Sequence, residues 1–178
     1  EQLNSRFASS NLPLRGAKGW NYEGGIRVPL IVYWPGQTKP QTMSHSIVTG
    51  TDFYPTIMEM LNIPKLPEQH VDGKSFVNAL KGKTHERGAI YWHFPHYSNH
   101  GYQSPGGAIR LGNYKLLEYY ENSTVQLFDL HNDPGEQNDL SKSKPEISKK
   151  LLSMLHDWRK NVGAKMPQVK TAHNSSRN

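Results

Sequence analysis

Apolar residues along this chain follow two different rhythms, and the change between them divides it. From residue 26 to 34 the run is almost unbroken: Ile26, Val28, Pro29, Leu30, Ile31, Val32, Tyr33 and Trp34, interrupted by Arg27. Gly24-Gly25 precede the run and Pro35-Gly36 close it. A short continuous run bounded this way predicts a strand covered on both faces. Residues 35–44, rich in Gly, Pro and polar side chains, predict a loop. Ile57, Met58, Met60 and Leu61 then recur at helical spacing, with Thr51 or Asp52 as N-cap and Pro55 in the first turn, where its missing N–H costs little. Asn62-Ile63-Pro64 ends that helix. Residues 75–80 predict a short helix with Phe76, Val77 and Leu80 inward.

Beyond residue 88 the period shortens. Residues 89–94, 108–111, 114–120 and 125–130 read as strands. Gly112-Asn113 suits a two-residue hairpin loop, and residues 121–124 form a second turn, so the region predicts a small antiparallel meander. Ser143-Lys144-Pro145-Glu146 fits a capping box with proline inside the first turn. Ile147, Leu151, Met154, Leu155, Trp158 and Val162 follow at helical spacing, and Gly163 suits the position after the helix end. This helix is expected to lay its apolar face on the meander. The predicted division is therefore residues 1–85 (glycine-rich loop, strand, helix), residues 86–167 (antiparallel sheet with terminal helix) and a disordered tail at 168–178.

Composition narrows the classes. The 178 residues carry a formal charge of +6, a pI near 9.4 and a mean hydropathy of −0.74. Basic residues are scattered, with short groupings at Lys142 and Lys144 and at Lys149-Lys150. No long basic run or nucleic-acid motif appears, so no nucleic-acid partner is expected. A solvated basic surface accounts for the charge, and attraction to a sulfated polysaccharide is the alternative. The chain has no cysteine, which excludes disulfides, thiolate metal sites and a cysteine nucleophile within it. No run of 18 apolar residues exists, so no membrane span is expected.

Chemistry concentrates in two stretches. Lys18 stands in a loop with Gly16, Gly19, Gly24 and Gly25, residues that let backbone approach closely and adopt unusual dihedrals. It is either a solvated charge or a cation aimed at an anion. Glu23 and Arg27 flank the Gly24-Gly25 pair and read better as an ion pair holding the loop than as substrate contacts. The second stretch, residues 93–102, holds His93, His96 and His100 among aromatic rings. Pro95 breaks any helix there and no carboxylate lies nearby in sequence, so a closed zinc site is disfavoured. Tyr91, Trp92, Phe94, Tyr97 and Tyr102 are either core aromatics or a platform for sugar rings. Asn122-Ser123-Thr124 and Asn174-Ser175-Ser176 match a glycosylation pattern that is common by chance. Asp129, Asp133, Glu136 and Asp139 read as turn formers, since their spacing does not follow a calcium loop.

The motifs have a family resemblance. Leu14-Arg15-Gly16-Ala17-Lys18-Gly19 followed by Tyr22-Glu23-Gly24-Gly25-Ile26-Arg27-Val28-Pro29 resembles the second signature of the type I sulfatases. Asp52-Phe53-Tyr54-Pro55-Thr56, Asp72-Gly73-Lys74-Ser75 and Tyr114-Lys115-Leu116 with the segment from Leu127 to Leu140 resemble further family motifs, in the same order. The resemblance implies an α/β protein: the C-terminal part of an alkaline-phosphatase-like sulfatase fold, with a small antiparallel sheet packed by a terminal helix. It implies sulfate-ester hydrolysis, on a carbohydrate, through a formylglycine and a divalent cation, usually calcium. The Cys-x-Pro-Ser-Arg and Asp-Asn-Gly segments that supply nucleophile and metal ligands have no counterpart here, so the chain is expected to be inactive without an N-terminal remainder. No metal ligand is expected among these residues. By the resemblance Lys18 binds the sulfate, His93 and His96 lie near the substrate, and the protein is exported to periplasm, lysosome or exterior. Two alternatives remain open: a stand-alone binding module for acidic glycans, and a fragment of a phosphodiesterase or phosphonate hydrolase of the same superfamily.

Overall fold

A computed structural model describes residues 10–66, 68, 72–98 and 103–168. In chain order the elements are α1 (Glu23–Ile26), a 3-10 turn (Gly50–Asp52), α2 (Phe53–Met60), α3 (Val77–Leu80), β1 (Ile90–Phe94), β2 (Gly106–Leu111), β3 (Tyr114–Tyr119), β4 (Thr124–Asp129) and α4 (Pro145–Asn161). They form two compact units. One contains residues 28–88; the other joins the glycine-rich loop, up to Arg27, to everything from Ala89 onward. Within its own unit the loop packs with the meander.

In the larger unit the four strands form one antiparallel sheet in the order β1-β2-β3-β4. Gly112, with φ +58°, turns the β2–β3 hairpin. The register sets Tyr91 beside Ile109, Ile109 beside Leu116 and Leu116 beside Leu127. These residues share one face, on which α4 lies through Leu151 and Leu155. Their neighbours Trp92, Ala108, Leu117 and Phe128 belong to the opposite face, because successive strand residues point to opposite sides. Tyr22 and Trp20 of the glycine-rich loop pack there. The sheet is therefore covered twice, once by α4 and once by the loop.

Helix α4 starts one residue later than the capping box requires. Its N-cap is Lys144, without a side-chain cap, and Ser143 Oγ donates to the Leu140 carbonyl instead. Pro145 occupies the first turn as expected, and Gly163, at φ +61°, follows the helix end. Gln168 is exposed outside any element, and residues 169–178, where the tail was expected, lie outside the described residues.

The smaller unit is organised by Asp52, which is fully buried. Its carboxylate accepts from the amides of Thr49 (2.8 Å) and Lys74 (2.8 Å) and pairs with the Arg87 guanidinium at 2.8 Å. Thr56 Oγ1 accepts from the Phe76 amide, and Phe76 packs edge-on against Phe53. The expected inward apolar faces are only partly realised. Phe76 and Val77 are buried, but Ile57 and Leu61 of the α2 stripe stand 50% and 62% exposed. The buried strand expected at residues 26–34 does not form. Ile26 ends α1, and Val28 and Ile31, 79% and 93% exposed, pair with no strand among the described residues. A strand needs neighbours to satisfy its backbone, and apolar periodicity reports a tendency to be covered without supplying the cover.

Candidate functional site: the lysine loop

Lys18 occupies the exposed tip of a reverse turn. The Trp20 amide donates to the Ala17 carbonyl at 3.1 Å, which leaves Lys18 and Gly19 as the central pair. Gly19 has φ +92°, the positive dihedral that the third position of a type II turn demands. The flanks are buried: Ala17 beneath the turn, and Asn21, Tyr22 and Glu23 after it. The Lys18 ammonium makes no hydrogen bond or ion pair among the described residues.

The turn is held down by backbone and side chains together. A Cβ on Gly25 would lie 2.1 Å from the Trp20 carbonyl oxygen, so only glycine lets α1 fold back under the turn. The Gly24 amide donates to the Arg15 carbonyl at 2.7 Å, closing the loop at its neck. The Asn21 amide donates to Gln103 Oε1. The Tyr22 hydroxyl donates to Gln126 and accepts from Tyr119. Burial, with that hydrogen bond to Tyr22, pushes the Tyr119 phenol well above its usual range, so it remains a neutral donor.

Glu23 does not form the expected ion pair with Arg27, whose backbone amide is instead bonded to the Glu23 carbonyl. The Glu23 carboxylate meets Lys115 Nζ at 3.1 Å and Arg110 Nη1 at 3.2 Å. Lys115 also meets Glu136 Oε1 at 2.9 Å, and Glu136 Oε2 accepts from the Glu23 amide at 2.6 Å. Lys115 and Glu136 are fully buried. Sequence reading missed both. In the sequence Lys115 stands out only as part of a strand and of the Tyr114-Lys115-Leu116 motif, and Glu136 reads as a turn former. Asp129, Asp133 and Asp139 do serve turns, accepting from nearby backbone amides.

The histidine segment separates by strand parity. His93 projects on the α4 side of the sheet, opposite the lysine loop. Both its ring nitrogens are engaged, Nδ1 with the Tyr120 hydroxyl at 2.7 Å and Nε2 with the Lys165 carbonyl at 2.8 Å. His96 is exposed beyond the strand end and meets the Phe94 ring edge-on. Tyr91 stacks on Trp158 at 4.9 Å, and Trp92 packs against the buried cluster that includes Tyr22 and Ala108, so these two rings serve the core. His100 and Tyr102 lie outside the described residues. Among the described residues no three His, Asp or Glu side chains are placed to hold a metal ion.

Comparison with known proteins agrees with this architecture. The model of the family "N-sulphoglucosamine sulphohydrolase, C-terminal" matches residues 17–161. A sulfatase of Formosa agariphila is 33% identical over 166 residues, covering 84% of this chain and 30% of that protein. An N-acetylgalactosamine-6-O-sulfatase of Bacteroides thetaiotaomicron is 28% identical, covering 79% of this chain and 29% of its own length. The crystal structure of Ps i-CgsB in complex with k-i-k-neocarrahexaose superposes with a TM-score of 0.73 at 28% identity, covering 84% of this chain and 32% of that one. The chain thus spans about a third of the length of these relatives. With a lysine turn locked on an antiparallel sheet and a family model matched over most of its residues, the chain belongs to the N-sulphoglucosamine sulphohydrolase C-terminal family and corresponds to the C-terminal portion of a type I sulfatase.

Proposed function

We propose that this chain is the sulfate-gripping portion of a carbohydrate sulfatase, with Lys18 as the cation that binds the sulfate ester. The observation that carries the reading is an exposed ammonium at the tip of a turn whose flanks are buried and hydrogen-bonded. Charge grows on the ester's bridging oxygen as the S–O bond breaks. A cation already fixed beside those oxygens stabilises that charge without reorganising at the moment of reaction. Carbohydrate as the substrate class is supported by the sugar-named relatives and by the aromatic and imidazole groups near the end of β1.

In this reading the formylglycine nucleophile and the divalent cation belong to segments outside these 178 residues. The described residues offer no fitting set of metal ligands. The exposed apolar side chains at Val28, Ile31, Tyr33, Ile57 and Leu61 suit a unit covered by the rest of a larger α/β domain. No described helix is long and apolar enough to cross a membrane. By family likeness the protein would work in an exported compartment.

His96 is assigned to the substrate side, where an exposed imidazole can donate to a hydroxyl or anionic group. His93, with both nitrogens engaged, contributes to the substrate side only by supporting the segment that presents His96, unless one of its two bonds is released.

The test is sulfate release. The complete enzyme is expected to liberate inorganic sulfate from a sulfated oligosaccharide, and the isolated 178-residue chain to liberate none. Turnover by the isolated chain, or hydrolysis of phosphate or phosphonate esters in preference to sulfate, sinks the reading. Within the complete enzyme, His96→Ala is expected to raise KM about tenfold with kcat little changed, the worth of one polar contact made equally in ground and transition states. An unchanged KM across several sulfated sugars removes His96 from the site.

A further inference from the structure

We infer that Glu136 is a positioning residue for Lys18, one residue that grips the lysine loop at both ends; this rests on the proposed role of Lys18. The geometry is specific. Arg15, just before the loop, donates from Nη1 to the Glu136 backbone carbonyl at 2.9 Å. Glu23, just after it, donates its amide to Glu136 Oε2 at 2.6 Å. These contacts span 121 and 113 residues of sequence and meet at a single residue. Arg15 also lies over the Tyr22 ring at 4.1 Å, so the grip reaches the loop's buried flank.

Glu136 is itself held in place. Its backbone has φ +52°, a conformation that non-glycine residues adopt sparingly. The preceding turn enforces it: the Glu136 amide donates to the Asp133 carbonyl, and the Asp133 carboxylate accepts from the Gln137 and Asn138 amides. From the other side Lys115 of β3 fixes the Glu136 carboxylate and the Glu23 carboxylate together. An unusual backbone conformation at a fully buried acid, aimed at a loop far away in sequence, calls for a functional explanation. Apolar residues of like volume would stabilise such a site as well or better, so stability alone does not account for the charges. Directional bonds do what apolar packing cannot: they fix the height and rotation of the turn that carries Lys18. A misplacement of about 1 Å at a catalytic group can cost about a hundredfold in rate.

The experiment uses the complete sulfatase and two variants. Arg15→Gln frees the first end of the loop and leaves no buried charge unpaired. The paired variant Lys115→Met/Glu136→Met leaves the Glu23 amide no side-chain acceptor, so it frees the second end; it removes one charge of each sign and leaves Glu23 to Arg110. Each is assayed well below its own melting temperature. The expected result is a kcat about tenfold to a hundredfold lower with KM nearly unchanged, and faster hydrogen exchange at the Gly24 and Gly25 amides while β3 amides stay protected. Added to Lys18→Ala, neither variant is expected to lower the residual rate further, because the residue they position is gone. Unchanged kcat in folded variants whose loop exchange has risen overturns the positioning role. So does an equal loss in the Lys18→Ala background, which marks a general disturbance. A full rate in Lys18→Ala alone overturns the sulfate-binding role of Lys18 itself and takes the positioning role with it.

Discussion

Lys18→Ala in the complete sulfatase is expected to lower kcat/KM by about a hundredfold to a thousandfold, the scale on which removing one preorganised charge-stabilising group acts. The same variant should fold normally. Lys18 is exposed and makes no polar contact among the described residues, and substitutions of that kind usually shift stability by no more than about 0.5 kcal/mol. Activity and melting temperature therefore separate: the first collapses and the second stays. Lys18→Arg keeps the charge but replaces a compact ammonium by a planar fork, and should recover part of the loss. Kinetic constants with a sulfated oligosaccharide, measured beside thermal melts, check all three statements. A Lys18→Ala enzyme within a few-fold of the parent sinks the assignment, and so does a loss fully explained by unfolding.

The sheet was legible because period-two apolar runs and Gly112-Asn113 are local signals, and β1 to β4 form where those signals fall. Signals that need a distant partner carried less. The apolar run at 26–34 marks a segment suited to cover, yet its neighbours cannot be read from the run itself. Ser143 and Glu146 have capping-box spacing, but Ser143 turns to the Leu140 carbonyl and the helix begins without it. For the candidate site, Lys18 and its glycines stood out by composition. The buried Glu23–Lys115–Glu136 bridge did not, because a lysine between two apolar strand residues normally faces water; here that face lies under the lysine loop. Strand parity held an unused clue. Trp92 and His93 are consecutive in β1, so they could never face one ligand together, and the structure sends them to opposite layers.

That bridge makes Lys115 the residue whose single replacement should damage the fold most. Lys115→Met removes the one cation shared by two buried carboxylates and is expected to cost about 3–5 kcal/mol, the usual penalty for leaving buried charge unpaired. Arg110 still meets Glu23, so Glu136 bears most of the loss. Burial already pushes the Glu136 carboxyl above the usual carboxylate range, against the pull of Lys115 and of the Glu23 amide. Without Lys115 that opposition weakens and the native state holds the Glu136 proton more tightly still. A group whose native pKa is raised contributes its stability below the unfolded value, about 4.3 for glutamate, and loses it as pH rises through the native value. The stability gap between Lys115→Met and the parent should thus be widest near pH 7 and narrow as pH falls towards about 4. Adding Glu136→Gln to Lys115→Met should recover much of the gap at pH 7, because the orphaned charge is then absent. Urea unfolding of the three proteins at several pH values tests the argument. A gap of equal size at every pH would mean that lost packing of the lysine stem, not the stranded carboxylate, sets the penalty.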